Sequence, residues 1–415
     1  MRLAAEIMLA FVAVYPVATA ALWIAGGLIF RGLDEHVAES GQEHEWPGVT
    51  ILIPAYNEAA VIATCIGSAL ESDYPHLEVL VLDDGSTDDT EAVARRAAGD
   101  DPRCRVLRDP VNRGKAEQLN VGFREARNEL VAVTDADTHV HPEALKLLVA
   151  RMERSPLVAA VAGAPHVTNR GRLIQALQVL EAAAIIGLIR RTQSVTGRVG
   201  VVAGVLGLFH RERVLAVGGY ESRMATEDID LTWKLLIAGW HTAYEPRALV
   251  GMQVPVTLRA LWAQRKRWAR GQGEVLNVHL GQVLRWRNRR MWLIGIESLA
   301  SMIWVVLLTF SIALAVFAAV FRGFGHDLFG FGLAWGIAIA VLAMIQLSVA
   351  LALEHAYDPT SVRASLVAVL YPLGYWLVGG CAALRCQTVA VLRGPRDKRV
   401  VWDIPRESQG AAADD

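Results

Sequence analysis

Leu130-Val131-Ala132-Val133-Thr134-Asp135-Ala136-Asp137 is the stretch on which the reading of this chain turns. Its first half is a short apolar run rich in β-branched residues, the pattern of a strand buried on both faces. Its second half ends in two carboxylates one residue apart, which point the same way in an extended backbone. Two carboxylates at the end of a central strand repel each other and carry a desolvation cost unless something positive sits between them. A hard divalent cation carrying phosphate oxygens meets that need. The plainer reading of the same residues is a polar turn after a strand.

Upstream of this stretch, short strands alternate with helices. Strands are expected at 49–54, 78–82 and 104–107, with helices at 58–71, from 89 to about 98, and at 114–127. Such alternation predicts a parallel sheet covered on both faces. Ligands of such sheets lie beyond the carboxyl ends of the strands. Asp83 and Asp84 end the second strand as Asp135 and Asp137 end the fourth, so two acid pairs converge on one edge. Downstream, the glycine-rich segment 199–209 reads as a further strand with a close backbone approach. Thr226 reads as the N-cap of a helix, with Glu227 and Asp228 in its first turn. Acids there also stabilise a helix without any catalysis.

The chain has 415 residues, 53% of them hydrophobic, which is too apolar for an ordinary soluble enzyme. The excess lies at the two ends. Residues 4–30, broken only by Glu6, are long enough to span a bilayer and longer than the apolar core of a secretory signal. Stretches at 298–321, 328–353 and 364–384 are also long enough. An apolar helix at 171–192, closed by Arg190-Arg191 and carrying Glu181, reads as core, with the membrane surface or an acceptor path as its other placements. Residues 255–290 are basic and tryptophan-bearing, from Trp262, Gln264, Arg265, Lys266, Arg267, Trp268 and Arg270 to Arg285, Arg287, Arg289 and Arg290. An amphipathic helix laid on the cytosolic membrane surface, arginines toward lipid phosphates, explains most of this stretch. It does not explain why Gln264, Arg267 and Trp268 sit together. The arginines at 285–290 place the start of the next span on the cytosolic side. Three spans from there put the C-terminus outside, whereas Arg393, Arg396, Lys398 and Arg399 place it inside. One interfacial or re-entrant stretch resolves the conflict, and Pro372 marks the last stretch as the one.

The chain therefore divides into a transmembrane helix (1–31), a linker (32–47), an α/β domain (48–254), basic interfacial helices (255–297), a C-terminal membrane region (298–392) and a polar tail (393–415). Net charge is −1, so the global balance identifies no partner, and no nucleic acid is expected. The four cysteines have neither metal spacing nor a pairing pattern and are expected to be free thiols. Gly114-Lys115 lacks the earlier glycine and the following hydroxyl of a phosphate-binding loop, since Asp109 and Ala116 stand there. The aspartates at 83–89 lack calcium-loop spacing.

Acids at two strand ends, an acid pair at a helix start and a basic-aromatic cluster near the membrane suit transfer of a sugar from a nucleotide diphosphate. An acid at the first strand end can hydrogen-bond the base or ribose. A cation on Asp135 and Asp137 neutralises the leaving group, and a carboxylate takes the acceptor hydroxyl's proton. Arg267 can pair with the diphosphate, and Trp268 offers a flat apolar face to a sugar ring.

Pro54-Ala55-Tyr56-Asn57-Glu58, Asp83-Asp84-Gly85-Ser86, Gly114-Lys115-Ala116, Asp135-Ala136-Asp137, Thr226-Glu227-Asp228 and Gln264-Arg265-Lys266-Arg267-Trp268 occur in this order. In these motifs the chain resembles the membrane-bound family 2 glycosyltransferases, the group of cellulose, chitin and hyaluronan synthases, from about residue 49 to 290 and into the flanking spans. The segments 185–193, 244–249 and 252–255 are similar to bacterial poly-β-1,6-N-acetylglucosamine synthases, which make biofilm exopolysaccharide. One departure is the single N-terminal span, where relatives often have two.

The resemblance implies a cytosolic GT-A-like, Rossmann-like nucleotide-sugar domain inserted between transmembrane helices of a multi-pass cell-membrane protein. It implies an inverting, processive N-acetylglucosaminyltransferase that uses a UDP-sugar, a growing polysaccharide acceptor and Mg2+ or Mn2+, with a small membrane accessory subunit as a further partner. By the same resemblance Asp228, with Glu227, is catalytic. Pro54, Tyr56, Glu58, Asp84, Lys115 and Asp135 bind the nucleotide sugar, Asp135 and Asp137 hold the metal, and Gln264, Arg267 and Trp268 meet the diphosphate and the acceptor. Single transfer to a lipid, a synthase of another sugar, and a non-catalytic sugar-binding subunit or transporter are the competing readings. The intact acids weigh against the last, as do spans with almost no charge.

Overall fold

A computed structural model of the protein describes residues 2–35, 45–322 and 326–400. Most of the expected linker, at 36–44, and the tail beyond 400 lie outside the described residues. The strands among the described residues are β1 (Val49–Ala55), β2 (Leu77–Asp84), β3 (Cys104–Asp109), β4 (Leu130–Val133), β5 (His139–Val140), β6 (Val158–Val167), β7 (Gly207–His210) and β8 (His241–Met252). They form one sheet in the order β3-β2-β1-β4-β7-β6-β8-β5. β1 to β4 pair in parallel as the alternation predicted. β7 is antiparallel to both β4 and β6, and β5 to β8, so the whole sheet is mixed. The glycine-rich 199–209 segment is strand only over its last part, and residues 199–206 form a loop.

Side-chain alternation along the strands builds two cores. Ile51, Ile53, Val79 and Val81 face α2 (Ile62–Leu70), α3 (Thr90–Ala98) and, around Leu145, Leu148 and Met152, a helix following β5. Leu52, Leu80, Leu82 and Val133 face α4 (Lys115–Glu125) and residues of two later helices. The helix following β5 is α5 (Ala144–Glu153). Period two in the sequence thus becomes two apolar faces, which is what makes the sheet a central layer.

The membrane-facing part begins with α1 (Arg2–Phe30), continued by a π-helical turn to Glu35. The predicted 171–192 helix runs as α6 (Leu173–Glu181), a π-helical segment (Ala182–Ile189) and α7 (Arg190–Val195). Then come α8 (Arg211–Ala216), α9 (Glu227–Ile237) and the long α10 (Leu258–Val283). After them α11 (Trp292–Arg322) and α12 (His326–Glu354) close the apolar set. Among the described residues four helical stretches are long and apolar enough to cross a membrane, at 6–35, 173–195, 286–314 and 335–354.

The 364–384 stretch is not among the four. It divides between a 3-10 helix (Pro359–Val367) and a helical run from Tyr371 to Arg393 that contains α13 (Trp376–Ala382) and α14 (Thr388–Arg393) with π-helical turns between. Pro372 stands in the first turn of that run, where its missing N–H costs nothing. The run packs along α10, where Gly273 leaves no room for a Cβ, 2.5 Å from the Gln387 carbonyl. The Val400 N–H donates to the Ser222 carbonyl (2.8 Å), so the start of the tail rests on the sheet domain.

Arg191 fastens the two parts together. It is fully buried, donates to Glu35 (3.0 Å) after α1 and also pairs with Glu354 at the end of α12. Removing one partner of such a buried pair costs about 3–5 kcal/mol. Exposed pairs such as Arg95–Glu91 contribute far less, so buried pairs such as this triad carry more of the docking.

Candidate active site

Loops at the carboxyl ends of β1 and β2 interlock. Asn57 takes a left-handed φ of 56°, and its side-chain oxygen accepts from the Thr87 N–H (2.9 Å). The Glu58 N–H donates to Thr90 (2.8 Å), while Pro54 is buried inside β1 and Tyr56 is half-buried just beyond it. Gly85 has φ 72°, and a Cβ there would sit 2.9 Å from the Asn112 nitrogen.

Asp84 is 1% exposed and accepts from the Arg113 N–H (2.7 Å), the Gly114 N–H (2.7 Å) and the Gln118 amide (2.9 Å). Burial raises its pKa despite these three donors. In this arrangement Asp84 holds the loop that starts α4, so a direct contact with a base needs that loop to yield.

Lys115, the first residue of α4, reaches across to β4 and pairs with Asp135. It also lies 3.7 Å from Glu227. Burial works against its charge, but Asp135, Glu227 and Asp228 outweigh burial and hold its pKa above the ordinary lysine value. The sequence points to a bound cation for positive charge at the strand-end acids, and the chain itself supplies one at Asp135. Gly204 in the 199–206 loop lies against this pair, where a Cβ would be 2.8 Å from the lysine nitrogen. The close backbone approach read from the sequence is real, though it comes from a loop. Asp135 and Asp137 are both half-buried.

Thr226 is the N-cap of α9 by position, but its hydroxyl makes no capping bond and is buried without a hydrogen-bond partner. Asp228 accepts from the Ile229 N–H (2.9 Å). Burial and the neighbouring Glu227 push its pKa up to about 6 against the opposing pull of Lys115, Ile229 N–H and Arg267. A carboxylate tuned toward neutrality is suited to proton removal, which capping chemistry alone does not require. Tyr220 was not legible in the sequence. It is buried within the electrostatic reach of Glu227, Asp228 and Asp135, and is anchored through both backbone groups by Asn120 (2.8 Å each).

On α10, Arg267 and Trp268 are exposed, and the Gln264 side-chain oxygen is buried without a hydrogen-bond partner. Arg265 lies under the Trp268 ring at 4.2 Å, donates to Tyr375 (2.7 Å) and pairs with Glu181, which accepts from Tyr375 (2.9 Å). The lone carboxylate of the apolar helix thus anchors the aromatic platform. Nothing in the spacing of these residues showed that link. The structure brings Lys115, Asp135, Glu227, Asp228 and, through its charge, Arg267 into one site, while Pro54, Glu58 and Asp84 shape the loops around it.

The model of the glycosyltransferase-like family 2 matches residues 47–271. A poly-beta-1,6-N-acetyl-D-glucosamine synthase of Staphylococcus epidermidis is 29% identical over 95% of this chain and 97% of its own length. The synthase of the same description from Staphylococcus aureus strain COL is 30% identical over the same shares. Among solved structures, a mannosyltransferase from Pyrobaculum calidifontis in complex with GDP-Man and Mn2+ matches with a TM-score of 0.68 at 23% identity, over 93% of this chain and 98% of that one.

Proposed function

This chain belongs to the family 2 glycosyltransferases, and from that premise we propose that it is a processive synthase moving N-acetylglucosamine from its UDP-sugar onto a growing β-linked polysaccharide. The observation that carries this reading is the meeting of Lys115 with Asp135 beyond β4 and with Glu227 at the start of α9, next to Asp228, whose carboxyl is raised to about 6. The sugar and the polymer are carried over from the curated relatives.

Asp228 takes the proton of the acceptor hydroxyl as its oxygen attacks the anomeric carbon. UDP leaves from the opposite face, so an α-linked donor gives a β-linked product. Arg267 pairs with the diphosphate, and Lys115 keeps Asp135 and Glu227 in place. Asp84 acts on the base pocket through the 112–114 loop. Asp135 and Asp137 fit Mg2+ or Mn2+, which take one or two carboxylates and fill their shell with phosphate oxygens and water. A cation there supplies charge neutralisation of the leaving diphosphate. The catalytic domain lies on the cytosolic side, with α1, α11 and α12 in the bilayer and the Tyr371–Arg393 run at its surface.

Purified protein offered a panel of labelled nucleotide sugars tests the donor, and gel or mass spectrometry of the product tests polymerisation. Turnover of UDP-N-acetylglucosamine into long chains is expected. If only a lipid bearing one sugar forms, the single-transfer reading replaces this one. Trp268→Ala removes the ring on which the newly added sugar stacks while leaving the diphosphate contacts. It is expected to shorten products or release free sugar, with donor affinity by calorimetry little changed.

A further inference from the structure

We propose that Glu274 is a positioning residue, which holds the loop carrying Asp228 at a set distance from the acceptor platform; this rests on the reading of Asp228 as the base. Glu274 is fully buried on α10. One of its oxygens accepts from the Ala225 N–H (2.8 Å), and the other accepts from Arg270 (2.6 Å) one turn earlier. Ala225 directly precedes Thr226-Glu227-Asp228. Between the two α10 residues, Gly271 lies against Thr226, where a Cβ would come within 2.1 Å of the hydroxyl and 2.4 Å of the methyl group. The glutamate therefore tethers the loop, and the glycine sets how closely it approaches.

The same helix carries Gln264, Arg267 and Trp268. Trp268 precedes Glu274 by six residues, about 9 Å along a helix axis. At its other end Arg265 is tied to Glu181 and Tyr375. α10 thus spans from the acceptor platform to the base loop as one rigid element.

Simple attachment of α9 to α10 does not require Glu274. Trp233, Leu236, Val275 and Leu276 pack together between these helices, and His279 meets Asp230 at 2.7 Å further along. A fully buried carboxylate is a costly way to add adhesion. Its placement on the residue next to the acid motif gives it a different use, since a displacement of about 1 Å at a reacting group can lower a rate about 10²-fold.

The test uses the purified full-length protein with UDP-N-acetylglucosamine, with kcat, donor KM and thermal unfolding measured together. Glu274→Ala is expected to lower kcat about 10²-fold with donor KM nearly unchanged. Glu274→Gln, which keeps an acceptor oxygen for Ala225, is expected to restore most of that loss. Gly271→Ala, which displaces Thr226 and leaves Glu274 in place, is expected to show the same kcat-selective loss. A kcat per folded molecule at the wild-type level in Glu274→Ala overturns the proposal, as does a Gln variant no better than Ala. If Glu274→Ala does not fold, wild-type kcat in Gly271→Ala overturns it. Asp228→Asn measured alongside separates the two ideas. Full transfer in that variant overturns the base reading itself, whereas its inactivity beside a normal Glu274→Ala overturns only the positioning role.

Discussion

Asp228→Asn is expected to lower sugar transfer about 10²- to 10⁴-fold, the usual loss when a general base is removed, with donor affinity nearly intact. The substitution keeps the shape of the side chain and an acceptor for the Ile229 N–H, so helix-start geometry survives. What it removes is the group that receives the proton. The wild-type pH profile gives an independent reading. Burial and Glu227 raise Asp228 to about 6, so the fraction in the working, deprotonated form falls as the pH drops through that value and is complete well above it. The rate of the wild type should therefore show an acid limb near pH 6, and the residual rate of the variant should not. Transfer rates from pH 5 to 8 with donor binding by calorimetry check both. A variant that fails to fold and loses its donor affinity would return Asp228 to plain helix-start chemistry.

Asp137→Ala is expected to abolish turnover. The argument differs from the one the sequence alone suggests, because Asp135 already has Lys115 as its ionic partner. If the cation binds as proposed, Asp135 is shared between it and the lysine, while Asp137 stands in the turn that follows β4. Losing a cation that stabilises a leaving diphosphate by several kcal/mol corresponds to roughly 10³-fold or more in rate. Activity measured against magnesium or manganese concentration, in wild type and variant, should show a cation requirement in the first and no rescue at high cation in the second. Full wild-type activity in a strong chelator would falsify the metal assignment.

Much of the domain was legible because its signals are local. The β-branched runs ending at Leu82 and Val133, followed by acid pairs, set both strand identity and the edge at which the acids meet. The long strands β6 and β8 were less visible. Ala159, Ala160, Ala162 and Ala164 leave β6 with only Val158, Val161 and Val167 as β-branched residues, and β8 carries Glu245, Pro246 and Arg247 in mid-strand. The antiparallel insertion of β7 was hidden for another reason. Pairing direction depends on where the 199–206 loop delivers the chain, not on the composition of Gly207–His210.

The site divides in the same way. The identities of Asp135, Asp137, Glu227, Asp228, Gln264, Arg267 and Trp268 as chemistry-bearing residues followed from motif and order. Their couplings did not. The reach of Lys115 to Asp135, of Glu274 to Ala225 and of Glu181 to Arg265 joins residues 20, 49 and 84 positions apart. Gly271 and Gly273 were the available hint, since glycine inside a helix costs about 1 kcal/mol relative to alanine and so asks for a packing reason. By itself the sequence determined the α/β domain, the acid-bearing edge of its sheet and the apolar flanks, because strand period, helix period and span length are written residue by residue. Only the tertiary structure decided which charges neutralise one another, how the last apolar stretch folds, and that one helix joins the loop before Asp228 to Trp268 and Arg265, because burial and pairing arise when distant segments close on each other.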